Sequence, residues 1–113
     1  MRWVYIDCDE TLILRDLESY PNLPEVQIED PYIKGEIETF KIHTKHVYWL
    51  KKMSKRGETI VVWSAGGQKW AEAICKALGI KKYVSHFLRK PDTLIDDTPN
   101  AKNFPPPIWM KPE

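Results

Sequence analysis

The run Thr59-Ile60-Val61-Val62-Trp63 constrains the fold more than any other stretch of the chain. It is continuous, apolar and β-branched, and it is bounded by Gly57 and Gly66, the pattern of a strand covered on both faces in a parallel sheet. Parallel strands need long crossovers, and the flanking sequence supplies them. From Thr44 to Arg56, Val47, Trp49, Leu50 and Met53 recur at helical spacing and Gly57 follows as a C-terminal stop. From Gln68 to Leu78, Trp70, Ala71, Ile74, Ala77 and Leu78 share one helical face, and Gly79 ends it. Residues 2–7, RWVYID, read as a short buried first strand ending at Asp7. Short extended pieces are expected at 83–85 and 93–95, the latter ending in Asp96-Asp97.

Strand, helix, strand, helix, strand predicts an α/β fold: a three-layer Rossmann-like open parallel sheet with right-handed crossovers and helices on both faces. At 113 residues the chain fits a single domain, 1–113, with a minimal core. Residues 12–36 mix Pro21, Pro24, Pro31 and Gly35 with short apolar pieces, which predicts a loop and weak hairpin serving as a flap. The Pro-rich tail, about 99–113, is expected to be irregular or extended.

Seventeen basic and sixteen acidic residues leave a formal charge of +1, so no overall field marks a nucleic-acid or membrane binder. The local excess at Lys51, Lys52, Lys55 and Arg56 lies at the end of the first predicted helix, where it faces the negative pole and reads as a solvated last turn. Cys8 and Cys75 have no metal spacing and read as free thiols of a reducing compartment. The N-terminus has no secretory pattern and no apolar run approaches membrane-spanning length, so a cytoplasmic location is expected.

In open α/β sheets ligands gather at the carboxyl ends of the strands. The polar residues of interest fall there in this reading: Asp7 and Asp9 after the first strand, Ser64 after the second, Asp96 and Asp97 after the last. Carboxylates meeting at one sheet edge repel one another, and a hard divalent cation with oxygen ligands keeps them ionised together, magnesium being the natural candidate. Magnesium shares its sphere readily with phosphate, so Lys90 and Ser64 pointing into the same crevice suggest phosphoryl transfer.

The run Asp7-Cys8-Asp9-Glu10-Thr11 resembles the D-x-D-x-T first motif of haloacid dehalogenase-like phosphatases. Ser64, Lys90 and Asp96-Asp97 follow in the order of that family's second, third and fourth motifs. The resemblance implies that Asp7 attacks phosphorus to form an aspartyl-phosphate, while Asp9 protonates the leaving oxygen and then activates water. Thr11 and Ser64 would bind the phosphoryl group, Lys90 would neutralise its charge, and the amides of Ala65, Gly66 and Gly67 would add donors. Magnesium would be held by Asp7, the main-chain carbonyl of Asp9 and Asp97, with Asp96 in support. Alternation along an extended segment agrees with this division, since Asp7 and Asp9 share one side while Cys8 faces the other and reads as packing.

His43 and His46 share an i, i+3 face and read as surface histidines rather than a metal site. Lys81 and Lys82 read as solvated residues after Gly79. The stretches between Asp7 and Ser64, and between Ser64 and Lys90, are too short to hold a cap domain. By the same resemblance a capless site implies a macromolecular or exposed phosphate, a partner subunit acting as lid, or loose selectivity; the substrate phosphate is expected on a small molecule, a nucleic-acid end or a phosphoprotein, with the flap and Trp109 as selectivity elements. Tyr20, Tyr32 and Trp109 fit stacking or structural roles. The composition is compatible with a homo-oligomer. The competing readings are a receiver-like domain, in which the acidic pair would come first in the chain, and a catalytically silent phosphate-binding regulatory module.

Overall fold

The computed structural model describes residues 2–97 and 105–113. Strand β1 (Trp3–Asp7) leads through a tight turn to β2 (Ile13–Leu14), and an antiparallel pair follows, β3 (Glu25–Glu29) and β4 (Ile37–Ile42). Helix α1 (Thr44–Lys55), strand β5 (Thr59–Ser64), helix α2 (Gln68–Ala77), a 3-10 turn (Lys81–Tyr83) and strand β6 (His86–Arg89) complete the regular structure. Two sheets result: a parallel one in the order β1-β5-β6 and an antiparallel one in the order β2-β4-β3.

β5 lies at the centre of the parallel sheet, as its unbroken apolar run requires, with Val4 beside Ile60, Asp7 beside Trp63 and Ser64 beside Arg89. Alternation along β1 sorts its side chains: Val4 and Ile6 pack on the core and Cys8 is fully buried beyond them, whereas Trp3 and Tyr5 face the other way. Val47, Leu50 and Met53 from α1 and Ala71, Ile74 and Cys75 from α2 join Cys8, Ile60 and Val62 in one continuous core. The apolar stripes that predict the two helices are the ones that bury.

Helices on both faces are not found among the described residues. The strand order advances from β1 to β5 to β6 in one direction, so two right-handed crossovers lay both helices on the same face. The opposite face carries Trp3, 55% exposed, and Tyr5, 49% exposed, stacked on His86 and tilted against Trp63 at ring distances of 5.5 and 4.9 Å. The described fold is thus a two-layer α/β core with a second, antiparallel sheet beside it.

The flap is more ordered than a loop and extends past residue 36. Five residues of β3 pair with β4, β2 adds a third strand, and Ile13, Ile28 and Phe40 bring this sheet into the main core. The last strand also differs from expectation. Residues 83–85 leave the 3-10 turn and β6 begins at His86, while 93–95 form no strand. β6 has few apolar residues because it is an edge strand, and ladder bonds to β5 rather than burial define it. No helix among the described residues is long and apolar enough to cross a membrane.

Candidate active site

Asp7 is the last residue of β1, and its carboxylate stands at the carboxyl edge of the parallel sheet. Lys90 follows directly on β6, where its backbone N–H donates to Ser64 O at 2.9 Å, and its Nζ lies 3.1 Å from Asp7 Oδ1. The Thr11 hydroxyl donates to Asp7 Oδ2 at 3.3 Å. Both Asp7 and Lys90 keep about a third of their side chains exposed, 32% and 35%, so a substrate can reach the pair.

Asp9 makes a separate set of contacts. Its Oδ1 accepts from Arg15 Nη1 at 2.8 Å, its Oδ2 accepts from the Ser64 hydroxyl at 3.3 Å, and the Trp70 indole N–H lies 3.4 Å from both oxygens. Ser64, fully buried at the end of β5, accepts in turn from the Gly66 amide at 3.0 Å. The amide of Gly66 is thereby engaged within the protein, and Ala65 is exposed at the turn into α2. Gly67 caps α2 with φ of 104°, a conformation that favours glycine, and a Cβ there would overlap the Tyr32 hydroxyl.

The turn that carries Asp9 is tight. Cys8 O accepts from the amides of Thr11, Leu12 and Ile13, and Glu10 adopts a left-handed φ of 61°. Two side chains brace it: Trp109 Nε1 donates to Glu10 O at 2.9 Å, and Glu10 Oε1 accepts from Arg15 N at 3.1 Å. Such backbone strain persists only where the surroundings over-determine it, and it clusters at functional sites. Cys8 points into the core as alternation requires. Burial pushes its thiol pKa upward, with further upward contributions from Cys75, Asp7 and Asp9.

The structure therefore joins Asp7, Thr11 and Lys90 in one cluster and Asp9 and Ser64 in an adjoining one. Asp96 and Asp97 are exposed, end no strand and have their own interactions. Among the described residues no three carboxylate, imidazole or thiol groups gather as a metal site. Lys90 directly follows the last described strand, and its ammonium lies beside Asp7. Its rivals lie elsewhere: Lys81 pairs with Glu72 at 2.7 Å and Lys82 sits over the Tyr83 ring.

Residues 3–104 match the family described as NLI interacting factor-like phosphatase. The chain belongs to that family. It is accordingly a haloacid dehalogenase-like phosphatase domain, and the family assigns it to hydrolases of phosphoesters. Comparison with curated proteins and with solved structures gave no match.

Three site features of this phosphatase domain have no clear signal in the sequence. Arg15 carries no motif of its own, yet it bridges Asp9 and Glu38. Trp70 reads as a core residue of α2, yet its indole N–H is turned to Asp9. His43 and His46 are not surface histidines: they are 0% and 5% exposed, stacked at 3.6 Å, and bonded to Met110 and Thr11. Their partners lie far away in the chain, so i, i+3 spacing could not reveal them.

Beside Asp9 the flap and α2 enclose an open cavity of about 520 Å³, lined by Asp9, Arg15, Asp30, Tyr32, Glu36 and Trp70 among others.

Proposed function

We propose that the chain is a phosphomonoester hydrolase that works through an aspartyl-phosphate at Asp7. The observation that carries this reading is the convergence of Asp7 with Lys90 and Thr11 beside the Asp9–Ser64 pair. In the first step an Asp7 carboxylate oxygen attacks phosphorus, the bond from phosphorus to the leaving oxygen breaks, and protonated Asp9 gives its proton to that oxygen. In the second, Asp9 as carboxylate takes a proton from water, the water oxygen attacks phosphorus, and the bond to Asp7 breaks to release phosphate. Lys90 compensates the charge on the phosphoryl oxygens, and Thr11 and Ser64 donate to them. Ala65 and Gly66, at the turn into α2, line the same edge and can offer amides when substrate displaces internal partners.

Magnesium is the proposed cofactor, held by Asp7, the Asp9 carbonyl and Asp97, with Asp96 in support. When bound it would supply further charge neutralisation at the phosphate. Among the described residues no three carboxylate, imidazole or thiol side chains gather as a metal site, so no step above is routed through the ion.

Hydrolysis of an aryl phosphate, with and without magnesium, tests the reading in the parent and in Asp7→Asn and Asp9→Asn. The expected losses are roughly 10⁴-fold or more for the nucleophile and about 10²- to 10⁴-fold for the acid. A parent without turnover that holds a long-lived phosphoryl group at Asp7 would replace the enzyme with a receiver-like or silent regulatory module.

A further inference from the structure

We infer that the cavity between the flap and α2 selects phosphomonoesters whose leaving group carries a positive charge, a primary ammonium above all. The inference rests on the phosphatase reading, because it takes Asp9 as the group facing the leaving oxygen.

The cavity opens beside Asp9, so a substrate with phosphorus at Asp7 directs its leaving group there. Its lining holds four carboxylates, Asp9, Asp30, Glu36 and Glu38, against one cation, Arg15. That guanidinium already lies 2.8 Å from Asp9 and 3.4 Å from Glu38. Asp30 and Glu36 have no basic partner within ion-pair distance among the described residues. The acid excess is local, since the whole chain carries a formal charge of +1.

Two aromatic walls point the same way. Tyr32 and Trp70 line the cavity, and the π-face of an aromatic ring attracts a cation. The cavity is also a built feature. Tyr32 packs its hydroxyl against Gly67 at the start of α2, the Tyr32 amide donates to Asp30 Oδ1 at 2.7 Å, and Ile28 of β3 is buried at its floor. An anionic leaving group, such as a second phosphate or a carboxylate, would meet Asp30 and Glu36 within one Debye length and be repelled. A cationic one would be held by both.

Small ammonium esters and basic phosphopeptides share this chemistry, and the test separates them. O-phosphoethanolamine, its uncharged isostere propyl phosphate and anionic phosphoglycolate form one series. Phosphoserine peptides with lysine or with glutamate beside the phosphorylated residue form the other. The expected order of kcat/KM is cation over neutral over anion, with about tenfold between the first two for a pair of unscreened carboxylates. The gap should narrow in Asp30→Asn/Glu36→Gln, chiefly through KM, and in the parent as salt rises. The salt series on the parent keeps the test valid if the double variant does not fold.

A preference confined to the peptide series assigns the cation to a protein substrate. Equal or reversed rates in both series overturn the inference while leaving the phosphatase reading intact. If no ester, including the aryl phosphate, is turned over, the phosphatase reading fails instead. Calorimetric binding of the same esters to the parent then decides the cavity's preference, and equal affinity for the ammonium and propyl esters overturns it.

Discussion

Lys90 shows how much of the site a single residue position decides. Its Nζ stands 3.1 Å from Asp7 because β6 ends at Arg89 and the next amide is fixed on Ser64 O. In the ground state this third-exposed pair contributes little to stability, since solvent screens it. Its value lies in the transition state, where charge spreads over phosphoryl oxygens at the same place. Lys90→Met should therefore lower kcat by about 10²- to 10³-fold. Lys81→Met, which removes only the partner of Glu72, should leave turnover as it is. Steady-state rates on the aryl phosphate check both, and equal effects would dismiss Lys90 from the mechanism. Asp7 and Ser64 were legible because residue type, order and the ends of apolar strands converge on them, and Asp9 and Lys90 through residue type and order alone. Arg15 was not, because its meaning comes from Glu38, a residue of the opposing strand β4.

At the scale of elements, the helices and the central strand were legible because burial writes a period into the sequence. β4 and β6 were not. The first has only Phe40 and Lys41 buried in the pattern, and the second is defined by its ladder to β5. Asp96 and Asp97 follow a stretch read as a strand from three apolar-leaning residues, of which Leu94 and Ile95 are exposed. Helix α1 carries a device that periodicity hides. The amide of Met110 donates to His46 Nε2 at 2.9 Å, so His46 Nδ1 bears the proton and donates to Thr11 O at 2.7 Å. Likewise His43 Nδ1 accepts from the His46 amide, and its Nε2–H donates to Met110 O at 2.7 Å. The two rings thus tie residues 109–110 to the turn after β1. Desolvation is the main cause that lowers the His46 pKa from its ordinary value of 6.5, with His43 acting in the same direction and the bond to Thr11 opposing. A folded-state pKa below the unfolded one means that the unfolded chain binds more protons on acidification. Stability should then be full above about pH 6.5 and decline as pH falls from there through the lower folded value. Denaturant midpoints measured from pH 8 to pH 5 should show this decline in the parent and a shallower one in His46→Gln. Identical slopes would mean that the clip does not titrate in this window.

At the scale of the molecule, the core is one-sided and continuous, and the two cysteines sample it from different elements. Cys8 enters from the end of β1 and Cys75 from α2, and both are fully buried and unpaired. Burial pushes the Cys75 thiol up to about 12, and Cys8 shifts in the same direction. The native protein thus offers almost no thiolate and no access at neutral pH, so modification must wait for an opening. Freeing Cys75 requires α2 to leave β5 and β6, and that movement also strips Trp70 from Asp9, whereas Cys8 lies at the end of β1. If the core opens only as a whole, both thiols react with an aromatic disulfide at one shared rate. That rate should be roughly 10³-fold or more below the denatured rate for a domain of ordinary stability. Mass spectrometry of partly labelled protein distinguishes the alternatives. Molecules with no label or two labels indicate a single cooperative unit. Accumulation of protein labelled at Cys75 alone would show that α2 opens by itself, and the Asp9–Ser64–Trp70 side of the site would then be intermittently exposed while Asp7 and Lys90 stay in place.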